Sequence, residues 1–151
     1  MKEEKMDLEL GDRVYCVFDS DPLSNPNIQL AFNMIRGMME EGLRCIFSNP
    51  SFEVWFILHL KERAPYGLTA IQMKDRLRRE LKPVFPNYSE TTDIFDWLRD
   101  KQSLAYERAI RLHNSQQEVY KRVLSHECNP YTNMFQFIEY MESIKKTASH
   151  G

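Results

Sequence analysis

No stretch of this sequence reaches the ~18 consecutive apolar residues of a membrane-spanning helix. Phe52 to Leu60 is apolar apart from Glu53 and His59, and it is too short. Met1 to Gly11 is acidic rather than basic and holds no apolar core of the signal-peptide type, so nothing in it directs export. Cysteine is scarce: Cys16, Cys45 and Cys128 form no C-x-x-C pair and no even-numbered framework. That points to a reduced, cytoplasmic setting without structural disulfides. His126 and Cys128 do not have the spacing of a metal pair. A glycine-rich phosphate loop is missing, and no Ser or Cys stands in a nucleophile context. There is no excess of charge of one sign either, the net charge being −2. Any nucleic-acid surface must therefore be a local basic patch. Repeats and low-complexity linkers are also missing. The 151 residues thus read as a charged segment, 1–11, and one domain, 12–151, divided into a core over 12–62 and a helical part over 65–147.

What is present reads as a helix-rich α/β domain. Val14 to Phe18 is an unbroken β-favouring run of the kind buried in a parallel sheet. Asn25-Pro26 combines a capping residue with a proline suited to the first helical turn, and opens a helix over 25–41. Ile28, Ala31, Phe32, Ile35, Met38 and Met39 recur at helical spacing, and Gly42 closes the run. Leu43 to Phe47 reads as a second strand, which completes a βαβ unit with parallel strands. Asn49-Pro50 repeats the start signal before a helix from Phe52 to about Leu60, apolar on nearly every side and so expected to be buried. Thr69 to Leu81 is amphipathic with Ile71, Leu77 and Leu81 inward, and Pro83 and Pro86 bracket a loop. Thr92 to Leu98 and Lys101 to about Leu124 read as helices. Asn129-Pro130 is the third such start, ahead of a helix whose apolar stripe is Met134, Phe137, Ile138 and Met141. Two strands make a poor sheet, since three or more are usually needed. Further strands are expected from a partner or from additional chain, and the sheet edge is expected to allow self-association.

Asp19-x-Asp21 closes the first strand. Residues i and i+2 of an extended chain point to one side. Two carboxylates there can share a hard divalent cation, with phosphate oxygens and water completing its shell. Open α/β sheets bind ligands at this end of their strands. The structural alternative is a polar Asp-Ser-Asp-Pro turn. Ser48 to Trp55 leaves the carboxyl end of the second strand, so Glu53 is expected beside Asp19 and Asp21, or else simply to complete a helix start. His59 reads as a core histidine rather than a base. Lys74, Arg76, Arg78, Arg79 and Lys82 crowd one helix, which is either a solvated face or, through Lys74, Arg78, Arg79 and Lys82, a phosphate-contacting surface.

These segments resemble a known family. Asp12 to Asp21 is similar to the RloB signature of an apolar strand closing on D-x-D. Ser48-Asn49-Pro50-Ser51-Phe52-Glu53-Val54-Trp55 with His59 resembles its second signature, S-N-P-x-F-E-x-W followed by a histidine. Ala109 to Leu112 and Asn129-Pro130-Tyr131-Thr132 resemble its C-terminal helix and N-P-x-T pattern. The family in turn is similar to Toprim domains. The resemblance implies Mg²⁺ (or Mn²⁺) on Asp19 and Asp21, with Asn49 and Glu53 lining a site for phosphodiester chemistry. It also implies a bacterial phage-defence or abortive-infection setting, with an ATPase from the same locus as partner and nucleic acid as a candidate substrate. The family pattern opens with a strand ending in a glutamate-bearing turn. Glu3, Glu4 and Glu9 lie instead in a charged stretch with no strand before it. The resemblance thus implies a core incomplete at its N-terminus, lacking the general acid/base glutamate and poor as a nuclease alone. The rival expectation is a catalytically inactive module docking on an ATPase or nucleic acid.

Overall fold

The computed structural model describes residues 13–22, 26–120 and 127–149. The expected cap Asn25, the glutamates of segment 1–11, and His126 lie outside these residues. In chain order the elements are β1 (Tyr15–Asp19), α1 (Ile28–Glu40), β2 (Arg44–Asn49), α2 (Glu53–Leu60), α3 (Ala70–Leu81), α4 (Phe95–Arg99), α5 (Gln102–Tyr120), β3 (Tyr131–Thr132) and α6 (Met134–Ala148). None of these helices is long and apolar enough to cross a membrane.

The helix-rich α/β reading and its βαβ core hold. β1 and β2 are parallel, from Tyr15 opposite Arg44 to Asp19 opposite Ser48. α1 crosses between them and buries Ile28, Phe32 and Ile35. Aromatic rings carry this half of the core: Phe32 meets Phe47 edge-on at 5.1 Å, and Phe47 stacks on Tyr131 at 4.7 Å. Met38, expected on the inner face, is 50 % exposed instead. With Leu30 and Met34 it forms an outward stripe at four-residue spacing.

The sheet has a third strand that the sequence reading missed. Asn129-Pro130 does not open a helix; β3 follows it and pairs antiparallel with β2, Ser48 opposite Thr132 and Asn49 opposite Tyr131. β2 is therefore central, and it runs to Asn49 rather than stopping at Phe47. Asn133 extends the pairing with its side chain. Its Oδ1 accepts from the Phe47 backbone N–H at 2.8 Å, and its Nδ2 donates to the Cys45 carbonyl at 2.8 Å. One amide thus does for β2 what a further strand residue would do, giving the Phe47 N–H and the Cys45 carbonyl their partners.

The second half of the core gathers around α2. Val54, Trp55, Ile57 and Leu58 are buried on several sides of one short helix, as its all-round apolarity predicted. α3 starts in a capping box, with Thr69 Oγ1 accepting from the Gln72 N–H and Gln72 Oε1 accepting from the Thr69 N–H. Its inner face is Met73, Leu77 and Leu81, at four-residue spacing. Ile71 lies two residues, about 200° of helix, from Met73 and is 74 % exposed, so its expected inward position is corrected. α4 begins at Phe95 rather than Thr92, because Ser89, Thr92 and Asp93 form turn hydrogen bonds ahead of it. In α6 the buried residue is Phe135, absent from the expected stripe, while Met141 is 40 % exposed.

Candidate functional site

Parallel pairing brings the carboxyl ends of β1 and β2 together, and Ser48 fixes them. Its carbonyl accepts from the Ser20 N–H at 2.9 Å and from Ser20 Oγ at 3.3 Å. Its hydroxyl donates to Thr132 Oγ1 at 2.9 Å, which ties β3 to the same point. Ser20 is thereby pinned with Asp19 and Asp21 on either side of it. Around this knot Ser20, Asp21, Ser48, Asn49, Ser51 and Glu53 are all buried. Burying so many polar groups at one sheet end is costly unless they are hydrogen-bonded or put to use.

Asp19 and Glu53 come together here. The Asp19 carboxyl is raised from its ordinary value, first by desolvation and next by the Glu53 charge, with Asp21 adding a smaller push. A hydrogen bond from the Phe52 backbone N–H, at the start of α2, and the Lys74 ammonium act in the opposite direction. Asp21 takes a different course. Its Oδ2 accepts from the Ala70 N–H at 3.3 Å, so it also anchors the first turn of α3. Glu53 is buried, and its Oε2 receives no hydrogen bond from the described residues; neither does the buried Ser51 Oγ. Asn49 is fully buried at the end of β2.

Among the suspected basic residues, Lys74 is tied electrostatically to Asp19 and Glu53. It ion-pairs with Glu90 at 2.9 Å and feels both Glu53 and Asp19, so its pKa is raised, chiefly by the Glu90 bond. Arg78 pairs with Asp75 at 2.6 Å, and Arg79 donates to the Asp75 carbonyl at 3.3 Å. Lys82 caps α3 at its far end. His59 is a core residue: it is buried edge-on against Trp55, and its Nδ1–H donates to the Trp55 carbonyl at 2.9 Å. The sequence reading missed Ser51 and Tyr88. The Tyr88 phenol is held up by burial and by the Glu53 charge. Ser51 lay in plain view inside the S-N-P-x-F-E-x-W run; Tyr88 sits in the loop after Pro86, with no signal in its neighbours.

Among the described residues no three His, Cys, Asp or Glu side chains form a ready metal-ligand group. The candidate donors at this end of the sheet are oxygens: the Asp19 and Glu53 carboxylates, near enough to feel each other's charge, and the Ser51 hydroxyl, which has no hydrogen bond among the described residues. Hard oxygen donors suit Mg²⁺ or Mn²⁺, and Mg²⁺ is commonly held by only one or two carboxylates, its shell completed by water and substrate phosphate. The donor set fits such an ion. It does not suit a zinc ion of the thiolate or imidazole type.

Fold and site together define a helix-rich α/β protein with a cluster of buried polar residues at the carboxyl ends of its parallel strands. The chain belongs to the RloB-like protein family, which matches residues 1–141. No curated protein and no solved structure matches it.

Proposed function

We propose that this polar cluster binds Mg²⁺ or Mn²⁺ and acts on a phosphodiester of nucleic acid, in the manner the resemblance to Toprim domains implies. The observation that carries this reading is the Asp19 carboxylate held beside the buried Glu53, with the Phe52 N–H and Lys74 facing the pair. Asp19 is exposed and only Glu53 is buried, but like charges held near each other still repel, and a divalent cation would offset that repulsion. Asp19 and Glu53 would hold the ion, with Asp21 beside Asp19 as the further ligand that the resemblance implies, and the ion when bound would polarise a phosphoryl oxygen. Glu53 would orient or accept a proton from an attacking water. Asn49 would position the same polar wall. Lys74 would meet a phosphate oxygen, with Arg78, Arg79 and Lys82 continuing along α3 for the strand beyond. The test is Mn²⁺ binding followed by electron paramagnetic resonance, run beside cleavage of labelled DNA and RNA in Mg²⁺ or Mn²⁺. Asp19→Asn and Glu53→Gln should each weaken the ion at least tenfold and remove any cleavage. Undiminished Mn²⁺ binding in both variants would refute the reading.

A second reading is favoured by the exposed Leu30, Met34 and Met38 stripe of α1. It is a catalytically silent module that docks on an ATPase partner through this stripe. Loss of docking in Met34→Glu, with function intact in Asp19→Asn, would select it.

A further inference from the structure

We infer that a second pocket, at the opposite end of α2 from Glu53, binds a nucleotide through its phosphate and its base. The cavity, of about 320 Å³, lies between the turn after α2 and the outer face of α5. α2 has eight residues, so at 1.5 Å per residue its two ends lie about 12 Å apart. This pocket is therefore separate from the carboxylate cluster.

Three arginines and one carboxylate line the cavity. Arg108 is spent on the fold. Its side chain is only 14 % exposed; Nη1 donates to the Leu58 carbonyl at 2.8 Å, and Nε meets Glu62 at 3.2 Å. Arg111, 58 % exposed, reaches the other oxygen of Glu62 at 2.6 Å. Glu62 is thus clamped between two guanidinium groups, and its charge is balanced twice over. Arg63 stands on the same wall and makes no ion pair or hydrogen bond among the described residues. The site carries a net positive charge of about two, concentrated where Arg63 and Arg111 open to solvent. Guanidinium groups of this kind are the preferred donors to phosphate oxygens.

The rest of the pocket is not what a bare anion needs. Its floor is apolar, built from Leu58, the buried Ala64 and Leu112. Tyr66 stands at the rim with 64 % of its surface exposed. It is held there by the Pro65-Tyr66-Gly67 turn, whose glycine has φ +67° and open space around it. An exposed tyrosine above an apolar floor and beside the Arg63 guanidinium is a base-stacking platform. The volume sits at the small end of ligand pockets, roughly 300–1,000 Å³, which suits one nucleotide rather than a duplex.

The nucleotide can come free or as one unit of a single strand, and calorimetry with both separates the two. The probes are AMP, inorganic phosphate and a fluorescein-labelled single-stranded decamer. They are applied to the full chain and to an Asp19→Asn/Glu53→Gln form, so that the carboxylate cluster is not needed for binding. AMP should bind both forms equally. Arg63→Gln should weaken AMP at least tenfold. Tyr66→Ala should weaken AMP by about tenfold, the size of a lost stacking contact, and leave inorganic phosphate unchanged. Both replaced residues are exposed, so the fold should tolerate the changes. If the decamer weakens in step with AMP the pocket holds one unit of a strand; if AMP alone weakens it holds a free nucleotide, and either result supports the site. No binding of AMP or decamer at millimolar concentration, or binding indifferent to Arg63→Gln, overturns it. Neither result depends on whether the carboxylate cluster holds a metal.

Discussion

Two histidines tie stability to pH. Burial lowers the pKa of His59, and Lys101 and Arg108 add to this against the opposing Trp55 hydrogen bond. Burial lowers His113 as well, whose Nδ1 lies 2.8 Å from the Tyr131 hydroxyl. A depressed folded-state pKa means that the unfolded chain binds the proton more readily. The stabilising contribution is therefore complete above the unfolded value near 6.5 and is lost as pH falls through the folded values. Urea midpoints should fall between pH 7.5 and pH 5, and a His59→Asn/His113→Gln variant should show a flatter profile. Equal slopes in the two proteins would contradict this. At the same scale the sequence disclosed the site unevenly. The positions of Asp19, Asn49 and Glu53 at one end of the sheet were legible because a strand end and a helix start each leave a polar signature. The different course of Asp21 was not: in an extended chain it shares a side with Asp19, but the turn after β1 aims one of its oxygens at the Ala70 N–H instead. Tyr88 was hidden because only the folding of a loop brings it to Glu53.

Among the elements, α3 separates pattern from packing. Leu77 is fully buried and Ile71 is mostly exposed. Leu77→Ala should cost ~2–5 kcal/mol, and Ile71→Ala no more than ~0.5 kcal/mol, both measured by denaturant unfolding. Similar losses for the two would mean that the inner face has been misassigned. Thr69→Ala, which breaks the capping box, should cost ~1 kcal/mol. Helices α1, α2 and α5 were readable because apolar periodicity over several turns survives errors at their ends. β3 was not, because two residues show no periodicity and its pairing partner is remote in sequence. Asn133 is the clearest case of a role that sequence hides. Asn133→Ala would strand the Phe47 N–H and the Cys45 carbonyl in the interior, at ~1–3 kcal/mol for each group. Asn133→Asp would set a carboxylate oxygen against that carbonyl, and should cost at least as much.

For the whole molecule, the βαβ unit and the helical half were both legible, but the way they join was not. β1 pairs with β2 on one side, and among the described residues no strand lies on its other side. Val17, 58 % exposed, lies on that edge strand with its side chain on an uncovered face. An open edge invites strand addition, so sedimentation velocity at rising concentration should show a dimer, weakened by Val17→Lys. A single monomeric species at every concentration would rule this out. The Ser48 knot has a kinetic consequence as well. Its link to Ser20 closes a loop of 28 residues, and its link to Thr132 one of 84. Tripling the loop adds only about 1 kcal/mol of closure entropy, so the long link is affordable at equilibrium yet slower to find. The βαβ unit should assemble first, and the chain should complete its polar cluster only when the C-terminal strand arrives. In pulsed hydrogen exchange during refolding, the Phe47 amide, which waits for Asn133, should gain protection after the Arg44 amide, which needs only Val14.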